Sequence, residues 1–132
     1  ITIVDYGLGN LGSIQNMLRK LGHASEVTSE PSHIREATSL VLPGVGAFDH
    51  GMKNLSDLRL LEPLRQRVEV DRIPVLGICL GAQLMTRGSE EGQLPGLGWI
   101  AADTVRFEVD RLGDLPIPSM GWSTVRQGES HC

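Results

Sequence analysis

Three short apolar runs in this chain stop at glycine-rich turns, and a helical pattern follows each turn. Ile1 to Val4 ends in Asp5-Tyr6-Gly7-Leu8-Gly9-Asn10. Ser39 to Leu42 ends in Pro43-Gly44-Val45-Gly46. Val75 to Ile78 runs into Gly77-Ile78-Cys79-Leu80-Gly81. An apolar run of that length, bounded by turn residues, reads as a buried strand. Strands alternating with helices over Ile1 to Arg87 imply βαβ units, a mostly parallel sheet and an α/β fold with helices on both faces. In such sheets ligands bind beyond the carboxyl ends of the strands, near a switch point. The three glycine-rich loops are therefore expected to line one site.

The elements between these loops follow from periodicity and end signals. Leu11, Ile14, Leu18 and Leu21 recur at helical spacing, with Gly22 placed to end that helix. Ala24 to Thr28 reads as a strand, and Pro31 to Ala37 as a short helix. Helices are expected over Ala47 to Leu55 and Leu58 to Val70, with Asp57 as the N-cap of the second and Pro63 bending it. A further helix is expected from Leu80 to Arg87. Gly88 to Gly98 has loop composition. Trp99 to Ala101, Thr104 to Val109 and Trp122 to Arg126 alternate loosely and read as strands, with a proline-containing connection over Gly113 to Pro118.

Composition narrows the function classes. At 132 residues the chain is one domain or most of one, and with 4% aromatics its core must be aliphatic. A net charge of −4 without a basic run argues against nucleic acid and against an anionic membrane surface. No apolar stretch approaches the roughly 18 residues of a spanning helix, and no signal peptide is visible. Two cysteines, Cys79 and Cys132, make no disulfide framework, so a reduced, cytoplasmic setting is expected.

Cys79 stands between two glycines, each two residues away, after a strand and before a helix. That is the pattern of a nucleophile elbow, in which a strained residue presents its side chain at the end of a sheet strand. A cysteine there points to thiolate attack on a carbonyl, and the start of a helix favours a thiolate. The Leu80 N–H is placed to hold an oxyanion. The bland alternative, a small buried apolar cysteine, does not explain the flanking glycines. Gly44-Val45-Gly46 reads either as a tight turn or as a loop whose peptide can flip and offer an N–H to a developing charge. Gln83 lies one helical turn after Cys79 on the same face, where its amide suits a polar substrate; otherwise it is a surface glutamine.

Gly7-Leu8-Gly9-Asn10-Leu11-Gly12 is also a literal dinucleotide fingerprint, with Glu30 following as an acid. Asp5 counts against it, because a carboxylate beside a pyrophosphate is repulsive. Of His23, His33, His50 and His131, only His50 is near the elbow by topology, and each reads first as a surface histidine. No His/Cys pair has metal-ligand spacing, so neither metal nor cofactor is expected.

Gly77-Ile-Cys-Leu-Gly-Ala-Gln83 resembles the nucleophile motif of the class I (triad) glutamine amidotransferases. Asp5-Tyr-Gly-Leu-Gly-Asn10, Leu42-Pro-Gly-Val-Gly-Ala-Phe48 and Met120-Gly-Trp122 narrow the resemblance to the glutaminase subunits of imidazole glycerol phosphate synthases. The resemblance implies a flavodoxin-like three-layer sandwich. It implies Cys79 as nucleophile on glutamine, an oxyanion held by Leu80 and the Val45–Gly46 loop, and Gly44, Gly46 and Gln83 as substrate contacts. It implies that ammonia passes to a (β/α)8 synthase, the cyclase subunit, faced by Asn10 and Trp122. The family's triad histidine and glutamate lie in a His-Pro-Glu segment that these 132 residues do not contain. The domain over 1–132 is therefore expected to be C-terminally incomplete and inactive alone. Ser119 and Ser123 stand where the family often has histidine and asparagine, which leaves open a related amidotransferase feeding another synthase.

Overall fold

The computed structural model describes residues 1–108, 121–124 and 126. Four strands, β1 (Thr2–Val4), β2 (Glu26–Thr28), β3 (Leu40–Leu42) and β4 (Val75–Gly77), form one sheet in the order β2-β1-β3-β4. All pairings are parallel. Ile3 stands opposite both Val27 and Val41, and Val41 opposite Leu76. The chain leaves β1 toward β2, then crosses back to place β3 on the other side of β1. The switch point therefore lies between β1 and β3, as in flavodoxin-like sheets.

The helices are α1 (Leu11–Lys20), α2 (Pro31–Glu36), α3 (Phe48–Asp57), α4 (Leu61–Arg65) and α5 (Leu80–Leu84). Strand alternation divides the side chains between two faces. Val4, Leu40 and Leu42 point into a cluster with Tyr6, Ile34, Phe48, Leu55, Leu60, Leu64, Leu80 and Leu84, supplied by α2, α3, α4, α5 and their connections. No side chain of α1 joins that cluster. As the right-handed crossover from β1 to β2, α1 covers the opposite face, where Ile3 and Val41 are buried and Leu76 is exposed. The expected coverage of both faces is present but unequal.

The ends of α1 are those the residues dictate. Asn10 Oδ1 accepts from the Ser13 N–H at 3.2 Å, and Gly22 at φ 82° lets the His23 N–H return to the Leu18 carbonyl at 2.9 Å. Other boundaries differ from expectation. α3 runs on to Asp57, which pairs with Lys53 and so ends one helix rather than capping the next. Arg59 takes φ 57° to break the chain between helices. The single helix expected to Val70 is α4 followed by a π-helical turn, Gln66–Val70, which carries Arg67 to the Ala37 carbonyl (Nε to O, 3.0 Å). Pro63 lies in the first turn of α4, where a missing N–H costs nothing, so it does not bend the helix.

α5 stops at Leu84 rather than Arg87. Its last carbonyls are taken by the returning loop: Leu84 O accepts from Leu97 N at 2.8 Å and Met85 O from Ile100 N at 2.9 Å. The strand expected at Trp99 to Ala101 is not formed, for the same reason. Thr104 makes a lone parallel bridge to Ser89, and 122–124 are irregular. The connection over 113–118, Met120, His131 and Cys132 lie outside the described residues. Among the described residues no helix is long and apolar enough to cross a membrane.

Candidate active site

Cys79 has φ 52° and ψ −117°, a backbone conformation that a side chain adopts only where its surroundings impose it. The cause is packing on both sides. A Cβ on Gly77 would lie 2.6 Å from the Ala82 Cα and the Met85 Sδ. A Cβ on Gly81 would overlap the Leu42 carbonyl. β4 can therefore meet α5 only through Gly77, and α5 can meet the end of β3 only through Gly81, so the turn between β4 and α5 is forced sharp. The Ile78 N–H donates to Leu42 O at 3.0 Å, tying the elbow to the end of β3. Cys79 is exposed at the carboxyl edge of the sheet.

The other candidate residues gather around it. Leu80 is buried, but as the first residue of α5 its N–H has no partner within the helix. Gln83 is half-buried, and its N–H donates to the Cys79 carbonyl at 3.2 Å, which sets it one turn along the same helix. Gly44 is buried against the elbow: a Cβ there would lie 2.9 Å from the Leu80 Cβ and 3.0 Å from the Gly81 nitrogen. Val45 and Gly46 are exposed, Gly46 at φ 106°, and among the described residues neither N–H has a protein acceptor. The loop after β1 closes the third side: a Cβ on Gly9 would lie 3.4 Å from the Pro43 Cβ and 3.5 Å from the Gly44 nitrogen. The three glycine loops thus meet, as the sheet topology requires. Asn10 is exposed at the start of α1, and Trp122 is fully exposed.

The dinucleotide fingerprint does not have the contacts that its glycines would serve. The third glycine, Gly12, sits on the exposed side of α1 with open space where a Cβ would be. The Asp5 carboxylate accepts from the Gly7 N–H at 3.0 Å and so occupies the turn itself. Among the described histidines, His33 pairs with Glu26 at 2.5 Å, and His23 and His50 are exposed with no hydrogen bond to the thiol. The described residues hold no group of three or more His, Cys, Asp or Glu fit for a metal ion.

Sequence reasoning missed Tyr6. It is fully buried, its hydroxyl donates to the Pro43 carbonyl, and its own carbonyl accepts from Asn54 Nδ2 at 2.9 Å. Burial, and then the neighbouring Cys79 charge, push its phenol well above the ordinary tyrosine range. The available signal was modest: the one tyrosine of the chain stands at the mouth of a glycine loop.

The class-I glutamine amidotransferase family matches residues 2–129. The chain is 50% identical over 126 residues to imidazole glycerol phosphate synthase subunit HisH 2 of Methanococcus maripaludis, covering 96% of this chain and 61% of that one. It is 45% identical over 131 residues to the subunit of the same name from Pseudomonas aeruginosa, covering 99% of this chain and 64% of that one. The chain thus spans somewhat under two thirds of the length of these curated relatives. A crystal structure of a glutamine amidotransferase shares the fold, with a TM-score of 0.69 at 22% identity over 80% of this chain and 56% of that one. With almost its whole length matched, the chain belongs to the class-I glutamine amidotransferases.

Proposed function

We propose that the protein bearing these residues hydrolyses glutamine to glutamate and ammonia and delivers the ammonia to a synthase. The observation that carries this reading is the strained Cys79, exposed at a sheet edge beside the uncommitted Leu80 N–H and the Gly44–Gly46 loop. The Cys79 sulfur adds to the side-chain amide carbon of glutamine. The resulting oxyanion takes its hydrogen bonds from the Leu80 N–H and, after a peptide turns over, from Val45 or Gly46. The base returns the thiol's proton to the amide nitrogen, the carbon–nitrogen bond breaks, ammonia leaves, and a glutamyl thioester remains on Cys79. Water adds to that thioester, the carbon–sulfur bond breaks, and glutamate leaves with the thiol restored. Gly44, Gly46 and Gln83 are assigned to the glutamine. The base that takes the thiol proton is assigned to the His-Pro-Glu segment that the family resemblance implies.

The names of the relatives support imidazole glycerol phosphate synthesis, and with it histidine biosynthesis, as the destination of the ammonia; the cytoplasm is the setting we infer from the cysteine usage. The acceptor is a cyclase subunit of (β/α)8 fold, faced by Asn10 and Trp122. Ser119 and Ser123 make a different acceptor synthase the second reading. The test is a glutamine-derived chloromethyl ketone on the full-length protein with and without the cyclase. It should label Cys79, and glutaminase activity should rise when cyclase and its ligand are added. Labelling elsewhere sinks the nucleophile assignment; no rise with the cyclase points to the other acceptor.

A further inference from the structure

We infer that Tyr6 is the positioning residue of the oxyanion loop: its hydroxyl fixes the Pro43–Gly44 peptide, so that reorientation toward bound substrate is confined to Val45 and Gly46. This rests on the glutaminase reading above and names a part of its machinery.

The argument begins with the fixed end. The Tyr6 hydroxyl donates to the Pro43 carbonyl, 37 residues along the chain. A trans peptide aims its N–H opposite its carbonyl, so holding that oxygen also sets the direction of the Gly44 N–H. Tyr6 is itself held by packing and by a hydrogen bond. It is fully buried in the main core cluster, and Asn54 of α3 holds its backbone carbonyl. The phenol fills the space over Gly44: a Cβ at that position would overlap the Tyr6 hydroxyl. Gly44 is therefore packed closely against the phenol, the Leu80 side chain and the Gly81 backbone.

The free end contrasts with this. Val45 and Gly46 are exposed, their N–H groups have no protein acceptor among the described residues, and a Cβ on Gly46 would meet open space. Gly46, at φ 106°, is free to change its dihedrals without a side-chain penalty. The loop is thus rigid for its first peptide and loose for the next two. A hinge of that kind lets an N–H swing onto the oxyanion while the loop keeps its distance from Cys79. The charge at Cys79 reaches the Tyr6 phenol, which places the two groups in one electrostatic neighbourhood. The neutral phenol donates rather than adding a second negative charge.

The experiment is Tyr6→Phe in the full-length protein assayed with its cyclase. The ring stays and only the hydroxyl goes. Expected is a roughly 10- to 100-fold fall in kcat, the size of effect that follows from a loss of alignment. KM for glutamine should change far less than kcat, because the hydroxyl itself touches no substrate. Alkylation of Cys79 by iodoacetamide should also be unchanged, which a general loosening of the elbow would not allow. Wild-type kcat in Tyr6→Phe overturns the inference while leaving the glutaminase reading intact. Absence of glutamine hydrolysis by the wild type overturns the reading beneath it. A second measurement needs no variant. In a crystal of the wild type trapped with the glutamine-derived ketone, the Pro43 carbonyl should still face Tyr6 while the peptide at Val45 or Gly46 has turned. A turned Pro43–Gly44 peptide overturns the inference.

Discussion

Gly81 and Gly12 show how differently one residue type can be used. A Cβ on Gly81 would overlap the Leu42 carbonyl, and backbone on both sides leaves no flexible atom to move away. Gly81→Ala is expected to destabilise the fold by at least about 2–3 kcal/mol, by forcing β3 and α5 apart. Gly12 lies on α1 with nothing near its missing side chain. Gly12→Ala is expected to stabilise by about 0.4–1 kcal/mol, through helix propensity and a less free unfolded chain. Urea unfolding midpoints check both, and a destabilised Gly12→Ala would show an undetected contact on that side of α1. The pair also explains what residue patterns disclose. The elbow was readable because its glycines answer a local need, a strand turning at once into a helix. Gly7 to Gly12 matches a fingerprint letter for letter, yet only the contacts reveal that its third glycine is idle. Tyr6 was unreadable because its partner, Pro43, is distant in sequence and the hydrogen bond exists only once the sheet has formed.

Elements were legible where one periodicity ran unopposed, and illegible where a distant segment competed for backbone groups. α1, α2 and all four strands lie within a residue or two of their expected places, because apolar spacing and Pro or Gly ends fixed them locally. α5 was expected three residues longer, because the sequence around Arg87 does not show that Leu97, Gly98 and Ile100 will take the carbonyls of Leu84, Thr86 and Met85. What holds that returning loop in place is Asp49, near the start of α3. Its carboxylate accepts from the Gln93 N–H at 2.9 and 3.0 Å and from the Leu94 N–H at 3.0 Å. A Cβ on Gly92 would overlap the same carboxylate, so the loop lies directly on it. Asp49→Ala leaves these amides without their acceptor. The expected cost is about 1–3 kcal/mol, discounted toward the lower end because water reaches the site. Hydrogen exchange localises the effect. The Gln93 and Leu94 amides should exchange roughly tenfold faster or more, about 1.4 kcal/mol of lost protection, while Ile3 and Val41 keep theirs. Equal acceleration throughout would mean that Asp49 supports the whole fold rather than this loop.

At the scale of the molecule, the main core and the candidate site share Tyr6 and Leu80. Tyr6 belongs to the buried cluster that α2 to α5 build on the sheet, and it also reaches the loop beside Cys79. That double membership makes global stability report on the site through pH. Burial first, and the Cys79 charge second, hold the folded-state phenol above its ordinary value, so the native protein keeps a proton that the unfolded chain gives up near pH 10. The sign follows from proton counting. Below about pH 10 both states bind that proton, and whatever the buried phenol contributes to stability is present in full. Above about pH 10 the unfolded state releases it first, so stability falls as pH rises toward the raised native value. Tyr6→Phe has no such proton. The stability difference between wild type and Tyr6→Phe should therefore be constant through neutral pH and shift against the wild type on the alkaline side. Groups common to both proteins, the lysines included, cancel in that difference to first order. Urea midpoints for both proteins at matched ionic strength, from pH 8 to 11, measure it. Curves that stay parallel throughout would mean that the phenol titrates alike folded and unfolded, and would separate Tyr6 from both the core and the loop that it is argued to join.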